Sequence, residues 1–334
     1  VSNAATKAAA QDRARRPAGA AAPAGGSDGK QAGAGHKFRP DRLSRQNLAG
    51  WLYSTPFLVF FLTFMAFPIV ATLLMSFTDF GLRNVTNPLD AEFVGLENYT
   101  ALADDEKFVK AMFNTAYFVV LGVPLTIGSG LVAAVLLNSG IERFRTFFRV
   151  GFYVPVVTAI VAVAVIWRFV LDPSEGLIAG LGAQLGFSTP DFLGSETLAM
   201  PSLIVMAVWR NMGTAMVLFL AGLQAIPTEV REAAKLDGAG AFQEFRRITV
   251  PLLRPTMLYV SVMTTIGFLN VFEEPFVMTN GGPGDSTLTV SLHMYEQGFS
   301  FFHMGSASAM AYVLFTIVLA VTLLQFRLLK DKTR

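Results

Sequence analysis

Apolar residues along this chain come in blocks about as long as a membrane is thick, not in the short stripes of a soluble core. Six blocks stand out, at about Leu52–Phe77, Ala111–Asn138, Val150–Leu171, Met200–Ile226, Leu252–Met278 and Met304–Phe326. A hydrocarbon core of roughly 30 Å takes about 20 helical residues to cross, and each block reaches that length. Backbone groups inside hydrocarbon must find partners within their own segment, so the blocks read as helices. The pattern predicts an all-α membrane protein with six transmembrane helices. Pro68, Pro124, Pro155 and Pro255 fall inside or at the starts of blocks, where kinks are expected.

Composition agrees with the pattern. With 53% hydrophobic and only 15% charged residues among 334, the chain has too little polar surface for a compact soluble globule. The segment from Val1 to about Asn47 differs: it is rich in Ala, Gly and Pro and carries Lys7, Arg13, Arg15, Arg16, Lys30, Lys37, Arg39, Arg42 and Arg45. It holds too few bulky apolar residues to offset its chain entropy, so residues 1–47 are expected to be a disordered basic tail and residues 48–330 a membrane domain.

The net charge of +2 hides a strong asymmetry. Six crossings place the Ile141–Arg149 loop, the Pro227–Val250 loop and the Arg327–Arg334 tail on the N-terminal side. Those segments carry Arg143, Arg145, Arg149, Arg231, Lys235, Arg246, Arg247, Arg327, Lys330, Lys332 and Arg334, while the other side carries only Arg83, Lys107 and Lys110. The positive-inside rule therefore puts both termini in the cytoplasm. The first outer loop, about Asp79 to Lys110, is acidic and long enough for small helices. Gly128 and Gly130 are expected to permit close helix packing.

Catalytic and metal chemistry find little support. There is no cysteine, and His36, His293 and His303 are scattered in the terminal tail and one late loop, so no metal site is expected. Gly29-Lys30-Gln31 lacks the leading glycine and the Ser/Thr of a phosphate loop, and no nucleophile elbow or soluble carboxylate pair is found. The chain reads as a non-enzyme with no cofactor of its own, and the basic tail as a solvated segment with no nucleic-acid role.

The inner loop 227–250 is different from the others: it reads IPTEVREAAKLDGAGAFQEFRRITVPLLRP with its flanks. Thr228 is a candidate helix cap, with Glu229 in the first turn. Glu232, Ala233, Ala234 and Leu236 are helix formers, and Asp237-Gly238 offers a left-handed stop. A second amphipathic turn, Ala241 to Ile248, leads to Pro251. The spacing Glu232-Ala233-Ala234, three residues, Gly238, nine residues, Ile248, one residue, Val250-Pro251 resembles the EAA loop of ABC-importer permeases, with Val250 where leucine is usual. Asp237-Gly238-Ala239 and the later Thr279-Asn280-Gly281-Gly282-Pro283 with Ser286-Thr287 are similar to the carbohydrate-uptake branch of that family.

The resemblance covers about Trp51 to Leu329. It implies a type I ABC-importer permease fold in a bacterial cytoplasmic (inner) membrane. Glu229, Glu232, Ala233, Ala234, Asp237, Gly238 and Ala239 would then belong to a coupling helix that docks onto a separate ATPase. It further implies a second permease subunit, two nucleotide-binding ATPase subunits that carry the Mg-ATP, and an extracytoplasmic sugar-binding protein, all assembled in membrane lipid. Gly281-Gly282-Pro283-Gly284 becomes an outer turn near that binding protein.

Polar groups inside membrane spans are costly and so mark candidate sites. Arg210, Asn211 and Thr214 of the fourth span and Phe268, Asn270, Glu273 and Glu274 of the fifth are the substrate-path candidates, with Glu273 near the outer end of its span. Each reads equally well as an interhelical clamp, including a salt bridge of Arg210 with Glu273 or Glu274. Arg168 reads as an interfacial residue near Asp172. The function so predicted is ATP-driven, binding-protein-dependent import of a sugar or small oligosaccharide. Import of glycerol-phosphate or another polyol, a secondary transporter and a non-transporting membrane scaffold are the alternatives.

Overall fold

The computed structural model describes residues 40–87, 90–139 and 144–329. The expected disordered tail, up to residue 39, and the terminal Lys330, Lys332 and Arg334 lie outside the described residues. Helix α1 runs Pro40–Phe61, so Pro40–Asn47, expected in the tail, are helical instead. Proline, with its preset φ and missing N–H, suits the first position of a helix. Contacts divide the chain into a first unit ending at Val59 and a second beginning at Phe60.

Beyond α1, a π-helical turn at Leu62–Ala66 precedes α2 (Phe67–Met75). Pro68 has no N–H to offer the carbonyl four residues back, which accounts for the widened turn there. The helices that follow are α3 (Glu97–Asp104), α4 (Glu106–Ser139), α5 (Arg145–Val157), α6 (Ile160–Val170), α7 (Leu177–Leu185) and α8 (Ala199–Gln224). After them come α9 (Thr228–Leu236), α10 (Ala241–Glu244), α11 (Val250–Leu252), α12 (Arg254–Leu269), α13 (Glu273–Met278), α14 (Val290–Tyr295) and α15 (Met304–Leu329). Among the described residues, pairing of extended chain is confined to an isolated bridge between Thr78 and Phe93.

Among the described residues, four helical stretches are long and apolar enough to cross a membrane, or up to six if two bent pairs each count as one span. The first pair, α5 and α6, turns through 100° at Thr158–Ala159, a few residues past Pro155. The second, α10–α11 with α12, turns through 67° at Leu253, between Pro251 and Pro255. Pro124, by contrast, sits inside the unbroken 34-residue α4.

The fifth span also ends earlier than its apolar block. Helix α12 stops at Leu269, and α13 starts at Glu273 after an irregular step through Asn270–Phe272. Pro275 cannot donate to the Val271 carbonyl, which instead accepts the Thr289 hydroxyl at 2.9 Å. Glu273 and Glu274 therefore lie on a separate short helix, not on the end of the fifth span.

The longest packed contact is between α4 and α8. A β-carbon built at Gly130 would lie 2.5 Å from Ala215 Cβ, so this glycine sets how closely the two helices approach. Gly128 meets open space and has no such role, a correction to the expectation for that pair. A glycine overlooked in the sequence is Gly213, whose missing β-carbon makes room for the Phe152 carbonyl of α5. Apolar clusters around Phe118, Leu203 and Phe268, around Met216, Phe219 and Leu253, and around Leu292, Ala309 and Met310 fill the interior. None of the first span, Gly50–Met75, is buried, as befits a helix whose solvent is lipid.

The first long loop contains the small helix α3, as its length allowed. Asn98 donates to the Ser76 and Thr78 carbonyls at 2.9 and 2.8 Å and so ties α3 to the end of α2. Beyond α6, the Asp172 carboxylate accepts from the Glu175 N–H, the Ser174 hydroxyl and the Ser174 N–H. Those bonds hold it below the usual carboxylate range without help from Arg168.

Candidate functional site

The loop after α8 folds as a compact helix–hinge–helix unit. Helix α9 opens on Pro227 in extended geometry (ψ 138), and Thr228 is already its first helical residue, with no side-chain capping bond. The expectation of Thr228 as cap is thus corrected, since the proline takes that place. Glu229 sits in the first turn, where the helix dipole favours an acid.

The far end is a Schellman stop. The Gly238 N–H reaches the Lys235 carbonyl at 3.0 Å and the Ala239 N–H reaches the Ala234 carbonyl at 3.0 Å. Gly238 has φ +79, and a β-carbon there would meet nothing within 4 Å. Glycine is therefore required by its backbone angle and not by packing. Ala234 faces inward, while Glu229, Glu232, Ala233 and Asp237 are exposed. Leu236, 89% exposed, and Phe242 add a bare apolar edge to this acidic face.

Past the hinge, α10 and a π-helical turn at Phe245–Thr249 lead toward the fifth span. Glu244, 8% exposed, accepts from Arg231 Nε at 2.8 Å and joins α9 to α10 across the hinge. A cavity of about 200 Å³ lies beneath this pair, lined partly by Asn138 of α4 and Leu223 of α8. Neither Arg231 nor Glu244 was singled out from sequence. A pair of opposite charges on either side of a Gly-containing stop is the signal that points to it.

The substrate-path candidates are distributed more widely than their spacing implied. On α8, Asn211 donates to the Ala207 carbonyl of its own helix at 2.8 Å, Thr214 is exposed, and Arg210 has a buried Nε with no hydrogen-bond partner. Phe268 faces inward, edge-on to Phe118 with ring centres 5.1 Å apart. Asn270 donates to the Ile266 carbonyl at 2.8 Å and is otherwise exposed. Glu273 is exposed, whereas Glu274 is 5% exposed.

Among the described residues, no ion pair forms between Arg210 and Glu273 or Glu274. Nor does a hydrogen bond link the α8 candidates to Asn270. The ionic clamp considered for Arg210 is absent from this conformation.

Asn270 opens instead onto a cavity of about 520 Å³ that also takes in Thr72, Phe272, Ser291, Tyr295 and Phe299. The rings there form a chain: Phe272 to Phe276 at 5.1 Å, Phe272 to Tyr295 at 5.2 Å and Tyr295 to Phe299 at 5.4 Å. Sequence reasoning missed Tyr295 and Phe299, because no spacing announces a ring cluster assembled from two short helices.

The same end of the molecule holds two further anchors. The glycine-rich turn has φ +49 at Asn280, +83 at Gly281, +53 at Gly284 and +58 at Asp285. It is held to α4 by Lys110, which donates to the Gly284 carbonyl at 2.6 Å, and by Asn114, which donates to the Asp285 and Leu288 carbonyls. His293, expected in a loop, is in α14 and 1% exposed, with Nε2 3.2 Å from Asp105 Oδ2. Burial raises the Asp105 carboxyl, but His293 and the Phe108 and Lys107 N–H groups outweigh it, and the net shift is downward.

Comparisons with known proteins agree with this architecture. Residues 126–334 match the family described as "Binding-protein-dependent transport system inner membrane component". The chain is 34% identical to "Arabinooligosaccharides transport system permease protein AraP" of Bacillus subtilis (strain 168), over 86% of this chain and 90% of that protein. It is 34% identical to "Lactose transport system permease protein LacF" of Rhizobium radiobacter, over 83% and 91%. A chain of the crystal structure of a bacterial ABC transporter involved in import of the acidic polysaccharide alginate superposes with a TM-score of 0.76 at 23% identity, covering 88% of this chain and 100% of that one.

Proposed function

Because this chain belongs to the family of binding-protein-dependent transport system inner membrane components, we propose that it is the membrane-spanning permease subunit of an ATP-driven importer of a sugar or small oligosaccharide. The sugar class rests on relatives named for arabinooligosaccharide and lactose transport. The single observation that carries coupling is the α9–Gly238–α10 unit, a short helix with an acidic and apolar exposed face that is closed by a left-handed hinge and locked by Arg231–Glu244.

In this reading, α9 lies in a groove of a separate ATPase on the cytoplasmic side, with both termini of the chain on that side. Glu232 supplies charge, Ala233 permits close approach and Gly238 turns the chain back to the membrane. A binding protein delivers the sugar to the opposite face. Binding of Mg-ATP closes two ATPase subunits, and α9 passes that closure through the π-helical turn into the fifth span, rocking the helices between outward and inward access. One chain supplies one coupling helix, so a second permease completes the assembly. Arg210, Asn211, Thr214, Phe268, Asn270, Glu273 and Glu274 remain the proposed substrate-path residues, with Asn270 supported best by its opening onto a cavity.

The test is to replace Glu232 or Gly238 and to assay assembly and substrate-stimulated ATPase of the reconstituted complex. The reading expects ATPase activity that no longer follows substrate. A fully coupled complex in both variants would refute it.

A further inference from the structure

The cavity of about 520 Å³ gathers the end of α2 (Thr72, Met75), the break after α12 (Asn270, Phe272), α14 with its following π-helical turn, and the start of α15 (Met304). Helix α12 separates it from the α9 hinge by sixteen residues, about 24 Å of helix. It is therefore the mouth of the helix bundle opposite the coupling loop, a position where a delivered solute would arrive.

The wall of this mouth includes a run of rings, Phe272, Tyr295 and Phe299, 5.2 and 5.4 Å apart, with Phe276 stacked on Phe272 at 5.1 Å. Phe299 is 68% exposed and Tyr295 partly exposed, so ring faces remain free. Polar groups stand beside them. Asn270 spends one amide N–H on the Ile266 carbonyl and keeps the other and its carbonyl oxygen, and Ser291 and the Tyr295 hydroxyl complete the set. Apolar rings beside a few convergent polar groups, in a space of a few hundred cubic ångströms, are the usual makings of a small-molecule site.

We propose that Phe272, Tyr295 and Phe299 form a stacking platform that takes one ring of the incoming sugar at this mouth, with Asn270, Ser291 and the Tyr295 hydroxyl as its hydrogen-bonding partners. The proposal rests on the sugar reading above. A sugar ring offers an apolar C–H face to an aromatic ring and hydroxyls at its edge, which is the division of chemistry found on this wall. Lipid tails would make no use of Asn270 or Ser291. Phe299 also lies in the π-helical turn Glu296–Ser300, a local geometry frequent at functional sites.

The experiment uses the whole transporter with its binding protein in proteoliposomes, with arabinotriose and lactose as the probes. Phe299→Ala and Tyr295→Ala are expected to raise the KM for uptake about tenfold each, with subunit composition unchanged. Phe299→Trp and Tyr295→Phe, which keep a ring, are expected to stay within about threefold of the parent. Wild-type kinetics in both alanine variants would overturn the platform while leaving sugar import intact. Loss of the second permease from the alanine variants would assign this face to a subunit contact and overturn it equally. A parent complex that imports glycerol-phosphate or another linear polyol, and neither sugar, would sink the sugar reading and the platform together, because such molecules have no ring to stack.

Discussion

Arg231 and Glu244 meet at 2.8 Å across thirteen residues of chain, and the hinge glycine that the chain needs to bring them together lies between them. The pair ties α9 to α10, which leads through the π-helical turn toward the fifth span. Glu244 is nearly enclosed and Arg231 is partly open, so the bond is a charge-assisted one with moderate screening.

Glu244→Ala is expected to loosen the unit by about 1 to 2 kcal/mol, the scale of a hydrogen bond between charged groups with partial solvent access. Hydrogen exchange should then speed up at α9 amides and leave α4 and α8 unchanged. In a double-mutant cycle with Arg231→Ala, the second change should add little to the first.

Gly238→Ala is expected to cost about 1 to 2 kcal/mol, from the left-handed backbone alone, since the space around it is open. Gly238→Asn should restore part of that loss, because asparagine adopts the same angle more readily. Thermal midpoints of the purified complex, compared across the two variants, check the order.

At the α4–α8 seam, Gly130→Val is expected to destabilise the protein by about 1 to 3 kcal/mol through overpacking against Ala215. Gly128→Val, facing open space, should change little. Heat-induced aggregation in detergent distinguishes the two sites, which are two residues apart.

The Asp105–His293 contact gives a pH dependence with a fixed sign. The Asp105 carboxyl is held below its ordinary 3.8, so its ionised form is favoured by folding. Its stabilisation is fully present above about that ordinary value and is lost as pH falls below it through the lowered folded value. Acid unfolding followed by circular dichroism should show Asp105→Asn less stable than the parent at neutral pH and converging with it in strong acid.

Much of this fold is legible in the sequence because the bilayer imposes one length scale on every span, and the blocks beginning near Ala111, Met200 and Met304 map directly onto α4, α8 and α15. The breaks are legible only in part. Pro155 and Pro255 announce bends, but a proline cannot say whether a helix runs on unbroken, as α4 does past Pro124, or turns through 100° as after α5. The early end of α12 escaped because the residues through Met278, though interrupted by Asn270, Glu273, Glu274 and Pro275, still continue an apolar block, and only the side-chain bond from Thr289 to Val271 shows where the broken carbonyl is satisfied. Within the loop after α8, Glu232 to Gly238 carry a local signal, whereas Arg231–Glu244 and the Phe272–Tyr295–Phe299 wall are made by tertiary approach.

The most direct measurement of the central claim is sugar uptake by proteoliposomes holding this chain with the proposed second permease, ATPases and binding protein, with a sugar that the binding protein retains as the solute. The account predicts accumulation that requires ATP on the α9 side and binding protein on the other, and that Gly238→Pro abolishes while ATP hydrolysis continues. Uptake driven by a proton gradient without ATP, or hydrolysis that never responds to binding protein and sugar, would contradict it.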